Sequence, residues 1–88
     1  MRKSGSTVSP PERPDLPALR QTKGISLRQI ADSTKISIHF LRAIEEGEFH
    51  KLPGGIYSIS YIRQYARAIG YEEVKLLEYC NFVMSQRR

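Results

Sequence analysis

The chain has 88 residues, which is room for one domain and too little to enclose a large substrate cavity. Fourteen lysines and arginines against nine acidic residues give a formal net charge of +5, which favours anionic partners such as nucleic acid, an acidic protein or a membrane surface. The two ends, residues 1–13 and 87–88, hold five of the basic residues and one glutamate, so the central part is nearly neutral. The one cysteine, Cys80, leaves no intrachain disulfide, and we interpret it as a small core residue.

The amino-terminal segment differs in composition from the rest. Residues 1–14 are rich in serine, glycine and proline, so they are predicted to form a disordered basic arm, either a plain leader or a DNA-contacting extension. No apolar run follows the Arg-Lys pair near the start, and no stretch approaches the roughly 20 apolar residues of a membrane span. We therefore expect a soluble cytoplasmic protein with one folded domain at residues 15–85 and a frayed end at 86–88.

Helix signals begin at Asp15, a good N-cap residue, and predict a first helix over residues 15–23. A second helix opens with a capping box, Ser26-x-x-Gln29, and is predicted to end near residue 33. In both helices the apolar residues recur three and four positions apart, as on the inner face of an amphipathic helix.

The third helix is predicted to start after the N-cap Ser37 and to end near residue 46. A connector follows at residues 48–55, where a Pro-Gly-Gly sequence interrupts helix formation. Phe49 and Leu52 are the connector residues expected to reach the core.

The fourth helix, predicted over residues 56–69, has apolar side chains at helical spacing. They are Tyr57, Tyr61, Ile62, Tyr65, Ala66 and Ile69. The fifth helix begins at two glutamates, residues 72 and 73, which suit the positive end of a helix dipole. Val83 and Met84 near its end are the only candidate surface for a homodimer. Because no segment is predicted as a strand, the fold class is all-α with five helices.

The segment at residues 26–47 carries the main signal, since it holds two short helices separated by about three residues. Ala31 is small where the two helices must cross closely, and Ile36 can pin the turn to the core. Leu41 and Ile44 then point inward from the second helix of the pair. This arrangement predicts a helix-turn-helix whose second helix is presented outward.

Residues 26–47, SLRQIADSTKISIHFLRAIEEG, resemble the helix-turn-helix of the phage-repressor (Cro-type, XRE-like) family. More specifically, residues 19–79 are similar to the cytoplasmic N-terminal domain of the bacterial RodZ cell-shape proteins. The similarity rests on the motifs TKGISL, TKIS, FLRAIEEGEFHKLPGG and YIRQYARAIG. It implies a five-helix, lambda-repressor-like bundle. Because RodZ proteins continue into a membrane span and a periplasmic domain, we expect either a stand-alone relative or one part of a longer chain.

The repressor resemblance implies a DNA interface in which the start of the third helix enters the major groove and the start of the second helix, with Arg28, lies on phosphate. The residues expected at this interface are Arg28, Lys35, Ser37, Ile38, His39 and Arg42. His39 and Arg42 can hydrogen-bond to base edges, whereas Ile38 offers only contact with a thymine methyl group. Lys35 replaces the turn glycine, so an altered or strained turn is expected. Ile38 and Lys35 count against DNA binding, but a basic helix-turn-helix chain in which no membrane span is predicted favours a DNA-binding transcriptional regulator first, with double-stranded DNA as its partner.

The RodZ resemblance implies a different partner, the actin-like filament protein MreB. In that family the contact involves an aromatic pair one turn apart on the fourth helix, and the matching residues are Tyr61 and Tyr65. Aromatic side chains are typical interface anchors, but tyrosines at this spacing are also common in small cores. A cytoskeletal adaptor in cell-shape control is therefore the alternative function.

Catalysis is not expected, and neither is a metal ion or a cofactor. His39 and His50 lie eleven positions apart and, with one cysteine in the chain, form neither a metal-ligand set nor a nucleophile–base pair. Glu45 and Glu46 are adjacent, so they point about 100° apart on a helix and cannot act together as acid and base.

Overall fold

A computed structural model describes residues 13–87, which form five α-helices and one short 3-10 helix with no strand among them. The helices are α1 (Leu16–Thr22), α2 (Leu27–Thr34), α3 (Ile38–Glu45), α4 (Gly55–Ile69) and α5 (Glu73–Gln86), with the 3-10 helix at Phe49–Lys51. The predicted all-helical bundle around a helix-turn-helix is confirmed. The predicted amino-terminal arm lies almost entirely outside the described residues.

Side-chain caps define where the first three helices begin. The capping box predicted for α2 is present, because the backbone N–H of Gln29 donates to Ser26 Oγ at 3.0 Å and the backbone N–H of Ser26 donates to Gln29 Oε1 at 2.7 Å. Asp15 caps α1 by accepting from the Ala18 amide at 3.2 Å, and Ser37 caps α3. These contacts satisfy amides that have no partner inside the helix, so the short helices start at defined residues.

The turn between α2 and α3 consists of three residues, Lys35 to Ser37. Lys35 has a φ of 65° and is the sole non-glycine residue with a positive φ between positions 13 and 87. This left-handed conformation costs an L-residue on the order of 1 kcal/mol, so the turn carries the strain expected from the missing glycine. Ile36 is 3% exposed, and its amide donates to Thr34 Oγ1 at 3.2 Å, which holds the turn against the core.

The core lies where the α2–α3 pair packs against α4, with α5 packed on α4 and on the 3-10 helix. The predicted inward residues Ile36, Leu41 and Ile44 are at most 3% exposed, so the helix-turn-helix packs as expected. Phe49 and Leu52 of the connector are also buried, as predicted. The remaining core residues are Leu16, Leu27, Ile30, Ala43, Ile62, Tyr65, Ala66, Ile69 and Leu76.

One polar cluster is buried within this core. Glu45, at the end of α3, is 8% exposed and accepts hydrogen bonds from Arg20 Nε at 2.5 Å and from the Tyr65 hydroxyl at 2.6 Å. Arg20 Nη1 also donates to the carbonyl oxygen of Ile25 at 3.0 Å. The hydrogen bond to Glu45 raises the pKa of Arg20, so the guanidinium keeps its charge. This Arg20–Glu45–Tyr65 cluster ties α1, α3 and α4 together.

Replacing Glu45 with alanine should lower the free energy of unfolding by about 3–5 kcal/mol, because Arg20 and the Tyr65 hydroxyl then lose their common acceptor inside the core. Urea unfolding followed by circular dichroism measures the loss. Glu46→Ala removes the adjacent, exposed carboxylate and should change stability by no more than about 0.5 kcal/mol. Equal unfolding midpoints for the two variants would show that the cluster does not hold the fold.

Candidate functional site

The outer surface of the helix-turn-helix is formed by α2, the turn and α3. Five of the six residues predicted for a DNA interface are exposed: Arg28, Lys35, Ser37, His39 and Arg42. The sixth, Ile38, is half-buried against the core. The Ser37 hydroxyl is engaged as the cap of α3, where it accepts from the His39 amide at 3.2 Å. His39 and Arg42 are therefore the predicted α3 residues whose exposed side chains have donors for a base edge.

The helix-turn-helix carries three exposed cations. Arg28, Lys35 and Arg42 form no ion pair within residues 13–87, whereas five other cations do: Arg20, Lys51, Arg63, Arg67 and Lys75. Glu45 points inward, and Glu48 pairs with Lys51 Nζ at 2.8 Å, a contact that lowers the pKa of Glu48. With the exposed Asp32 and Glu46 counted, the three cations leave the helix-turn-helix a small positive excess that an anionic partner can neutralise.

An aromatic contact joins α3 to α4. The ring centroids of Phe40 and Tyr61 lie 5.6 Å apart with the planes tilted by 35°, which is within the favourable range for aromatic pairs. Both side chains are half-buried. Phe40 follows His39 directly, so the Phe40–Tyr61 pair lies at the border between the helix-turn-helix surface and the exposed face of α4.

Tyr61 and Tyr65 occupy different environments despite their one-turn spacing. Tyr61 is half-buried, whereas Tyr65 is 0% exposed and donates its hydroxyl hydrogen to Glu45. Burial, together with this hydrogen bond, raises the pKa of Tyr65 far above its ordinary value. The interface prediction for Tyr65 is corrected, because its ring is a core element with no surface to offer a partner.

The exposed aromatic residue one turn from Tyr61 is Tyr57, on the amino-terminal side. Tyr57 is 65% exposed, and its neighbours Ile56 and Ile59 are 76% and 49% exposed. Tyr57, which the sequence groups with the apolar positions of the fourth helix, therefore lies outside the core. No local pattern in the sequence separates Tyr57 from Tyr65, because both belong to the same apolar series at four-residue spacing. Large apolar side chains clustered at the surface are typical of interaction sites, whereas isolated ones are ordinary.

The two histidines, His39 and His50, are both exposed. Among residues 13–87, no group of three or more histidine, cysteine, aspartate or glutamate side chains is placed to hold a metal ion. None of the helices in the same part of the chain combines the length and apolar character needed to cross a bilayer.

A family model described as a helix-turn-helix domain matches residues 15–76. This range holds α1 to α4, the Arg20–Glu45–Tyr65 cluster and the start of α5. The chain belongs to this helix-turn-helix family. No solved structure matches the chain significantly.

Two curated proteins show where related domains occur. The uncharacterized membrane protein YmfM of Bacillus subtilis is 39% identical over 54 residues, which cover 61% of this chain and 19% of that protein. The cytoskeleton protein RodZ of Streptococcus pneumoniae is 30% identical over 59 residues, covering 67% of this chain and 21% of that protein. The chain therefore spans about a fifth of the length of these relatives. The predicted resemblance to the RodZ helix-turn-helix domain is confirmed.

Replacing Tyr65 with phenylalanine should remove a loss of stability at alkaline pH. A tyrosine in the unfolded chain has a pKa near 10.0, whereas the pKa of folded Tyr65 is higher. Above pH 10 the unfolded chain therefore loses this proton while the native state still holds it, which favours unfolding. The stabilisation is complete below pH 10 and is lost as the pH rises beyond it. The stability difference between the native chain and Tyr65→Phe, measured by urea unfolding at pH 7, 9 and 10.5, should shrink above pH 10. A difference that stays constant with pH would contradict the burial of the hydroxyl.

Proposed function

We propose that this helix-turn-helix domain is a protein-binding adaptor whose partner is an actin-like filament protein of the MreB type. It acts by binding, without catalysis, through the exposed aromatic edge of α4, defined by Tyr57 and Tyr61. The sequence alone favoured a DNA-binding regulator over a cytoskeletal adaptor, and the exposed residues of α4 favour the adaptor.

The observation that carries the proposal is the apolar start of α4. Ile56, Tyr57 and Ile59 are three of the five large hydrophobic side chains exposed in residues 13–87. Tyr61 continues this surface toward α3 through its contact with Phe40. Exposed aromatic side chains are typical anchors of protein interfaces. The RodZ resemblance implies an aromatic pair one turn apart on this helix, and Tyr57 with Tyr61 supply one that a partner can reach.

The surface of α3 also favours a protein partner over DNA. Ile38 and Phe40 are half-buried and apolar, so they offer no hydrogen bonds to base edges. One of the two relatives, RodZ of Streptococcus pneumoniae, is a cytoskeleton protein, which agrees with a protein partner. Because the chain spans about a fifth of those proteins, the proposal concerns this domain and not their full activities.

Tyr57→Ala should weaken co-sedimentation with MreB filaments by about tenfold or more, because loss of a central aromatic anchor commonly costs about 2 kcal/mol. The fold should persist, since Tyr57 is exposed. Val74→Ala is the matched control, because Val74 is 60% exposed on α5 and lies outside the aromatic edge. If Tyr57→Ala pelleted as well as Val74→Ala did, the adaptor site would be misplaced.

Binding to double-stranded DNA is the second candidate function. The observation that favours it is a set of exposed cations, Arg28, Lys35 and Arg42, which form no ion pair with another residue of 13–87. Cations without carboxylate partners can replace the counterions of DNA phosphates without first breaking an ion pair. The positive ends of the dipoles of α2 and α3 also favour a phosphate group near these helix starts.

DNA binding predicts a steep loss of affinity with salt, with a slope of about 0.9 per neutralised phosphate on logarithmic axes. Arg42→Ala and Lys35→Ala should each lower that slope by roughly one when labelled duplex DNA is titrated at several salt concentrations. Lys75→Ala removes a cation from α5 and should leave the slope unchanged. Slopes that agree for all three variants would exclude α3 from the interface.

A further inference from the structure

The edge of α4 that lies away from α3 forms a second, chemically different surface. A shallow groove of about 420 Å³ runs along it, lined by Ile56, Ile59, Ser60, Arg63, Gln64 and Arg67. Aliphatic side chains lie toward the amino-terminal end of the groove and guanidinium groups toward the other end. No residue of the aromatic edge lines this groove.

The two arginines of the groove are held by one carboxylate. Arg63 Nε donates to Glu73 Oε1 at 3.0 Å, and Arg67 Nε donates to Glu73 Oε2 at 2.8 Å. These hydrogen bonds lower the pKa of Glu73, with Arg67 contributing most, so the carboxylate stays charged. Two cations share one anion, which leaves a net positive charge at this end of the groove.

The same geometry leaves most of the guanidinium donors unused. Each arginine reaches Glu73 through Nε, and the Nη groups of both make no hydrogen bond to another residue in the described part of the chain. Arg63 and Arg67 are 52% and 63% exposed, so these donors are open to solvent. Glu73 restricts the motion of both side chains, which lowers the entropy lost when an external carboxylate binds.

The spacing of the groove residues matches a helical partner. Positions 56, 59, 63 and 67 follow steps of three, four and four, so they form one stripe along α4, about 16 Å long at 1.5 Å per residue. Arg63 and Arg67 lie about 6 Å apart along the axis, which is also the separation of carboxylates one turn apart on a second helix.

We propose that this stripe binds an acidic amphipathic helix of a partner protein, with two glutamates one turn apart over Arg63 and Arg67 and aliphatic side chains over Ile56 and Ile59. Charge complementarity favours this occupant at one end, and the exposed isoleucines favour it at the other. An antiparallel orientation places the partner's carboxylates near its own amino terminus, where the helix dipole stabilises them. The groove shares Ile56 and Ile59 with the apolar start of α4 but does not include Tyr57 or Tyr61, so variants of the two tyrosines separate it from the filament site.

The test is a titration of the isotope-labelled full chain with a blocked 18-residue helical peptide, followed by nuclear magnetic resonance. The peptide carries glutamates at positions i and i+4 and leucines at i+8 and i+11, the reverse of the stripe on α4. The amide signals of Ile56 and Ile59 and the Nε–Hε signals of Arg63 and Arg67 should shift together. A scrambled peptide of the same composition should shift none of them.

Arg63→Gln/Arg67→Gln should weaken binding of the peptide by about tenfold or more, because the charge-assisted hydrogen bonds are lost. Lys23→Gln/Lys75→Gln removes the same charge from other exposed positions and should keep the affinity within about twofold. Tyr57→Ala should also leave it unchanged, which separates this groove from the filament site.

Three outcomes would overturn the proposal. The first is equal weakening by both double variants, which would mean attraction by net charge alone. The second is an equal response to the scrambled peptide or no response to either peptide. The third is a shift of the same four signals by phosphatidylglycerol vesicles but not by the peptide, which would assign the groove to a lipid surface.

Discussion

The buried carboxylate of Glu45 determines how α3 lies against the rest of the domain. Its two donors, Arg20 and Tyr65, come from α1 and α4 and are 25 and 20 positions away along the chain. Burial of a carboxylate is unfavourable unless it is paired and hydrogen-bonded, and both conditions are met here. Apolar contacts tolerate small shifts of one helix against another, whereas these short hydrogen bonds do not. We infer that the cluster specifies the orientation of α3 more strictly than the surrounding apolar core does.

The same constraint gives the three tyrosines of α4 three different environments. Positions 57, 61 and 65 are four apart, and four residues advance a helix by about 400°, so each tyrosine is rotated about 40° from the previous one. Tyr65 is held inward by Glu45, Tyr61 therefore lies at the edge against Phe40, and Tyr57 points away from the body. Equal spacing along the sequence thus does not mean an equal environment, and the rotation decides which ring a partner can reach.

The predictions from sequence succeeded where the signal is local. The capping box at Ser26 and Gln29 needs only residues three apart, and the strain at Lys35 follows from the identity of one residue in a short turn. The Arg20–Glu45–Tyr65 cluster was not predicted, because no pattern links residues so far apart before the helices are packed. Without that cluster, nothing in the sequence distinguished Tyr57 from Tyr65 as the buried ring. The error in the candidate site was therefore an error of rotation along α4, while the helix itself was placed correctly.

The contact between Phe40 and Tyr61 links the fold to the choice of surface. A helix that reads the major groove needs polar side chains on the face that enters it, and the groove is only about 12 Å wide. Phe40 packs instead against Tyr61 of α4, and Ile38 packs against the core. These two apolar side chains of α3 therefore belong partly to the interior and are only half available to a groove. The first turn of α4 has the opposite character, since it leaves large apolar groups in solvent that the core does not use. In a helix-turn-helix domain, α2 and α3 can thus serve mainly for stability while exposed side chains of α4 are available to a partner. This division is possible because fold and function are set by different residues.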